Sequence, residues 1–351
     1  MDDDLLELSD LAWRAGEHRG TLVGPRGLTL VQGVSRGVWE GTLAPARPWT
    51  RLVASLNPDP WPSGAGVRLS VRARLAGGVW TEWASLGQYG SSHGLPRSEA
   101  HPEAHGDAPS EGGALRVASD VLRVEAGPAH DLAVRLELEA GDLGGAPLVR
   151  RLALQPWTPA VTAEDLALPD SGAHPAWGRR IELTPRSQRT EPGDLALRGC
   201  SPTALAMLLA HHGLERTTAE VARGVYDHSA RIYGNWSFNV AYAASCGLEA
   251  TVVRLRSFAA LEREVEAGRP AVITHRYALA DAPREAALPA TDGHLIVVAG
   301  FTAQGDVEVY DPAADPRRGE PVARVYGREE LRRTWLLHPP GGIAYLARPA
   351  R

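Results

Sequence analysis

One of the two cysteines in this chain, Cys200, opens the segment Arg198-Gly-Cys-Ser-Pro-Thr-Ala-Leu-Ala-Met-Leu-Leu-Ala-His-His-Gly213. Pro202 sits where a first-turn proline is tolerated, because the amide it lacks would have no partner inside a helix. Leu205, Leu208 and Leu209 recur at helical spacing, and Gly213 reads as the glycine just past the C-terminus. A thiol at a helix N-terminus feels the positive end of the macrodipole and the free amides there, so more of it is thiolate. Thiolate is the form a nucleophilic cysteine needs.

A base is offered downstream. In Thr291-Asp-Gly-His-Leu-Ile-Val-Val-Ala-Gly-Phe301, His294 opens a continuous apolar run that predicts a buried strand. Gly305-Asp-Val-Glu-Val-Tyr-Asp-Pro312 alternates and stops at a proline, which predicts the hairpin partner. If the turn pairs Phe301 with Asp306, Asp311 lies opposite Ile296. If it pairs Thr302 with Val307, Asp311 lies opposite Val298. Both registers put Asp311 on the face of His294, because that face repeats every second residue. A slip of one residue puts it on the other face. The reach between the two side chains needs strand twist or a bulge to close.

Other candidates carry weaker signals. His211 and His212 end a helix, where cations suit the dipole, and His228 and His275 have no evident partner. Cys246, before Gly247, reads as a buried structural thiol. Two cysteines this far apart have no zinc-ligand spacing, and no glycine-rich loop links a strand to a helix, so neither metal nor cofactor is expected. A net charge of -5 and the lack of a basic cluster with interleaved aromatics argue against nucleic acid.

The ordered set of cysteine, histidine and aspartate resembles the papain-like cysteine peptidases. It is most similar to the bacteriocin-processing (double-glycine leader) peptidase family and its stand-alone bacterial relatives. Matching positions are Gln188 in Arg186-Ser-Gln-Arg189, then Cys200, His294 and Asp311, with Gly234-Asn-Trp-Ser-Phe-Asn-Val-Ala-Tyr242 resembling the stretch into the third helix. The resemblance covers roughly residues 180 to 351. It implies that Cys200 attacks an acyl carbon, that His294 is its base, that Asp311 orients the imidazole, and that Gln188 and the Cys200 amide bind the oxyanion. One position departs: Ser201 stands where the family usually has glycine, and a side chain there can crowd the substrate carbonyl.

At 351 residues the chain suits two domains, each with its own core. All 37 basic residues are arginine, which reflects genome composition more than function. The start, Met-Asp-Asp-Asp-Leu-Leu-Glu-Leu, is acidic and lacks a signal-peptide core, and no apolar run approaches a membrane span. As it stands the sequence reads as cytoplasmic; a secreted protein is expected if the true N-terminus lies further upstream.

Residues 1–158 read as an all-β accessory domain, sandwich or jelly-roll-like. Short strands are expected at 28–31, 38–43, 51–55, 67–73, 79–84, 115–117, 121–125, 132–138 and 148–153. A long mobile loop is expected at 90–112 and a linker at 159–180. Most of the tryptophans are expected in the core; Trp61, between prolines, is the candidate for an exposed contact with a glycan or cell wall. Residues 181–351 read as an α+β papain-like cysteine peptidase domain. Helices are expected after Cys200, after the capping box Thr217-Thr-Ala-Glu220, and near 237–246 and 258–267. Strands are expected at 249–255, 271–275, 294–301, 306–311, 321–325 and 343–347. The function expected is hydrolysis of a peptide or protein substrate. The alternatives are a catalytically silent binding protein on the same scaffold, and acyl transfer to an amine.

Overall fold

Val134, Leu136 and Leu138 are buried and alternate with Arg135, Glu137 and Glu139, the pattern of a strand with one covered face. That pattern recurs through the first half of the chain. The computed structural model describes residues 5–8, 10–90, 113–118, 120–159, 172–228, 230–338 and 341–350. The first half holds β1 (Leu6–Leu8), helix α1 (Asp10–Ala15), β2 (Glu17–Arg19), β3 (Thr21–Gly24), β4 (Gly27–Leu30), β5 (Arg36–Leu43) and β6 (Arg51–Pro58). It continues through β7 (Gly66–Leu75), β8 (Ala84–Gly90), β9 (Leu115–Ala118), β10 (Val121–Val124), β11 (Ala129–Glu139) and β12 (Val149–Trp157). One antiparallel sheet runs β3-β4-β12-β6-β10-β9 with β1 on β12, and a second runs β2-β5-β11-β7-β8. Leu52, Leu56 and Leu154 from the first meet Val71, Leu132 and Leu136 from the second in one core, closed by Trp13, Trp39 and Trp49. Of the loop expected at 90–112, Gly90 ends β8 and residues 91–112 lie outside the described residues.

Two expectations for this half need correcting. The strand expected at 79–84 does not form as such: only Ala84 is in a strand, as the first residue of β8. Trp80 lies against Arg72 and Trp83 against both Arg72 and Arg135, at 4.9, 4.8 and 4.2 Å from guanidinium to ring. Positions three apart cannot share a face of a period-two strand, so regular pairing starts only at Ala84. Trp61 is not an exposed tip; it is half-buried and packs against the core.

The second half is built from α2 (Leu195–Arg198), α3 (Cys200–His211), α4 (Thr218–Val225) and α5 (Trp236–Ser245), then β13 (Leu248–Arg254), α6 (Phe258–Glu266), β14 (Ala271–Tyr277) and β15 (Thr291–Phe301). It ends with β16 (Val307–Tyr310), β17 (Ala323–Tyr326), α7 (Arg328–Leu331) and β18 (Ile343–Pro349). The antiparallel sheet order is β13-β18-β14-β15-β16-β17. Leu295, Val297 and Tyr345 face the core shared with α3, while Ile296, Val298 and Ile273 face Phe258 and Trp335. Thr217 closes the capping box of α4 with Glu220.

Residues 177–181 run alongside β15, where Gly178 N–H donates to Phe301 O at 2.9 Å and Ile181 N–H to Ala299 O at 2.7 Å. Residues 160–171 of the expected linker lie outside the described residues. Among the described residues no helix is long and apolar enough to cross a membrane, and no cluster of His, Cys, Asp and Glu could hold a metal.

The two halves meet through polar side chains. β13 is the edge of its sheet, and its outward N–H groups at Ala250, Val252 and Arg254 donate to Asn57 Oδ1, Ser55 Oγ and Gln155 Oε1 at 2.8, 2.8 and 3.3 Å. Asn57 Nδ2 returns a bond to Ala250 O at 2.8 Å. Side chains of β6 and β12 thus stand where a neighbouring strand would be, satisfying an otherwise open edge. Phe238 and Ala241 of α5 complete the apolar contact by joining the core of the first half.

Asn57→Ala leaves the buried N–H and C=O of Ala250 without partners. Each such loss costs about 1–3 kcal/mol, so urea denaturation should show a loss of about 2–6 kcal/mol. Arg68→Ala, on an exposed ion pair, should change stability by less than about 1 kcal/mol.

Candidate active site

Gly199 precedes α3, and a Cβ there would meet Leu195 O at 2.4 Å, so α2 can turn into α3 this tightly only with glycine. Cys200 is therefore the first residue of α3 and half-buried. The Ser201 side chain turns inward. It is fully buried and donates to Asn239 Oδ1 on α5 at 3.1 Å, which removes the hydroxyl from the substrate side of the helix.

His294 and Asp311 are brought together by an irregularity in the hairpin. The turn pairs Phe301 with Val307, a register between the two considered from the sequence. Continued unchanged, it would set Asp311 opposite Val297, on the wrong face. A one-residue shift between Val298 and Gly300 restores the parity, because Val298 pairs with Val309 and Val297 with Tyr310. Asp311 stands just past the end of β16, and His294 Nε2 lies 2.7 Å from Asp311 Oδ1. Ala313 N–H donates to the same oxygen at 2.8 Å, and the Tyr326 hydroxyl donates to Oδ2. The other edge of the imidazole is left towards Cys200, and His294 and the Leu295 N–H are the groups that act on its thiol.

The electrostatics follow from those contacts. Burial pushes the Cys200 thiol up, but the His294 ring and the Leu295 N–H outweigh it, and the thiol titrates below its ordinary 9.0. Burial pulls His294 down, yet the Asp311 charge, its hydrogen bond and Cys200 raise the imidazole to about 10. Burial pushes Asp311 up, and the His294 charge with the bonds from His294, Tyr326 and Ala313 holds it well below the usual carboxylate range. The arrangement favours a thiolate–imidazolium pair backed by a carboxylate. Burial instead pushes the Cys246 thiol up.

Gln188 stands in a short 3-10 turn tied to the Asp311 loop, with its N–H on Pro312 O at 2.9 Å. Ser187 Oγ donates to Ala314 O and Arg189 Nε to Ala313 O, at 2.5 and 3.2 Å. The Gln188 side chain is buried and its amide donates to Ala196 O at 3.2 Å; its Oε1 has no partner among the described residues. Sequence reasoning missed Tyr326, the Leu295 N–H and the place of His275. His275 is the cross-strand partner of His294, with ring centroids 5.7 Å apart. Strand pairing could have found His275; no local signal marks Tyr326.

A half-buried thiol at a helix start and a buried imidazole–carboxylate pair thus lie on one helix-and-sheet scaffold. Residues 180–337 match the family described as Peptidase C39 like, and residues 8–155 match the Peptidase C39 N-terminal domain. Over both stretches the chain is a relative of the C39 peptidases. A solved structure from Bacillus anthracis, described as a C39-like peptidase, is 20% identical and covers 47% of this chain and 96% of its own, with a TM-score of 0.35. No curated protein matches the chain.

Iodoacetamide should label Cys200 much faster than Cys246 at neutral pH. The Cys200 rate should hold as pH falls below 9 and drop only on passing the lowered thiol value. In His294→Ala, burial is opposed by little besides the Leu295 N–H, so the drop should begin at higher pH. Equal, slow labelling of both cysteines contradicts the ion pair. Mass spectrometry of the labelled peptides reads all of this directly.

Proposed function

We propose that this protein is a cysteine peptidase that hydrolyses amide bonds in a peptide or protein substrate. In this reading residues 181–351 form a papain-like peptidase domain. A β-sandwich domain over residues 1–158 and a connecting segment over 159–180 precede it. The single observation that carries the reading is the buried His294–Asp311 pair at 2.7 Å, with the Cys200 thiol lowered and the imidazole raised.

The Cys200 thiolate attacks the scissile carbonyl carbon, and the electron pair of the C=O moves to oxygen. The Cys200 backbone N–H, one of the amides a helix start leaves without an intrahelical partner, faces that oxyanion. Gln188 supplies a second donor: an amide nitrogen carries two protons, and its bond to Ala196 uses one. Collapse breaks the C–N bond as imidazolium His294 gives its proton to the leaving amine. Water then attacks the thioester with His294 taking its proton, and thiolate leaves as the carboxylic acid forms. Asp311 stays ionised throughout and holds the ring.

The engagement of the Gln188 amide by Ala196 favours a second reading, a protein that binds peptides on this scaffold without turnover. Profiling wild type and Cys200→Ala against a diverse peptide library separates the two. The peptidase reading expects cleavage by wild type alone. It also expects Asp311→Asn to lower kcat by about 10⁴-fold and Gln188→Ala by about 10²–10³-fold. Binding by both proteins with cleavage by neither would establish the second.

A further inference from the structure

Beyond the line from Cys200 to Asp311 lies a buried aromatic cluster to which no role has been given. Tyr326, at the end of β17, is fully buried, and its hydroxyl donates to Asp311 Oδ2, the oxygen turned away from His294. Its ring stacks on His275 at 5.9 Å and 26°, and His275 lies against His294 at 5.7 Å and 34°. His275 is 1% exposed, and neither ring nitrogen has a hydrogen-bond partner among the described residues. It therefore fills the space between Tyr326 and His294 without drawing Asp311 away from either. Tyr277 also packs edge-on against His275 at 5.0 Å, but its hydroxyl donates to Leu288 O at 3.1 Å instead of to Asp311.

A carboxylate turns easily about its last torsion. With only His294 and Ala313 on Oδ1, the plane of Asp311 would be set from one side. A donor on Oδ2 fixes it from both, and donors to the charged form keep a buried carboxylate ionised. An ionised Asp311 holds His294 as imidazolium, and the imidazolium holds Cys200 as thiolate. We propose that Tyr326 is a positioning residue of this site, whose hydroxyl sets the Asp311 carboxylate towards His294 and so maintains the Cys200 thiolate, with His275 as the spacer that keeps the three rings in register. The proposal rests on the reading of Cys200, His294 and Asp311 as one working unit.

The other groups that face this unit do not change charge in the working range. Asp311 is faced by His294, His275, Tyr277 and Tyr326, and Cys200 by His294 and Tyr345. Burial raises all three phenols well above their ordinary value, and burial together with His294 lowers His275 to about 3. Between about pH 5 and 9 the titration of Cys200 consequently reports on the His294–Asp311 pair alone.

The test is the pH profile of Cys200 alkylation by iodoacetamide in the full chain, for wild type, Tyr326→Phe and Tyr277→Phe. Tyr326→Phe should move the thiol pKa up by about one unit, so labelling on the acid side slows about tenfold. Tyr277→Phe should leave the profile where it was. With a cleaved peptide in hand, Tyr326→Phe should lower kcat and leave KM unchanged. A wild-type alkylation profile in folded Tyr326→Phe, or the same shift in Tyr277→Phe, overturns the proposal. Should Tyr326→Phe fail to fold, 3-fluorotyrosine placed at position 326 keeps the shape and donates more strongly. It should move the thiol pKa down, and no movement overturns the proposal. Alkylation needs no substrate, so a failure to find peptide turnover counts against the peptidase reading and leaves this test standing.

Discussion

The pairing of β15 with β16 changes by one residue between Val298 and Gly300, and the whole site hangs on that change. Strand parity is binary, so the turn at Thr302–Asp306 alone would send Asp311 to the face of Leu295 and Val297. An extra residue in one strand reverses the parity of everything beyond it. The chain supports the irregularity from outside. Ile181 N–H takes the carbonyl of Ala299, the residue left without a partner, and Phe301 N–H reaches Arg179 O at 3.0 Å. Gly300 permits the approach, since a Cβ there would lie 2.5 Å from Arg179 O. The segment entering this half is thus part of what aims Asp311.

What that aim secures is an ionic pair almost wholly removed from water. His294 is 2% exposed and Asp311 is fully buried. Removing such groups from water costs several kcal/mol each, recovered only when each remaining lone pair and proton is bonded. Here Asp311 accepts from His294, Ala313 and Tyr326, which uses both oxygens. The imidazole spends one nitrogen on Asp311 and leaves the other for the thiol. A pair this enclosed is poor material for stability and good material for fixing a protonation state.

Much of this was legible in the chain itself. The helix after Cys200 follows from Pro202, the leucine spacing and Gly213, and α4 from the capping box at Thr217. The strands around His294 and Asp311 follow from apolar runs and alternation, since burial of one face imposes period two. Three things were not legible. The shift at Gly300 depends on Arg179 and Ile181, far away in sequence, and a glycine in a strand does not say what approaches it. Tyr326 looks like any tyrosine ending a strand until pairing sets it beside Asp311. Trp80 and Trp83 suggested a strand by composition, yet their arginine partners sit on β7 and β11. In each case the deciding contact is non-local, and local propensity yields to it.

Asn57, Ser55 and Gln155 occupy the hydrogen-bonding edge of β13, and that has a consequence for biogenesis. Synthesis runs from the N-terminus, and the earlier part of a chain generally folds first. The three side chains therefore exist before Leu248–Arg254 leaves the ribosome. An apolar strand with a bare edge is a template for pairing with other chains. In this protein its seat is laid down in advance, as a row of polar side chains instead of a backbone, and the first half of the molecule serves the second as a built-in escort.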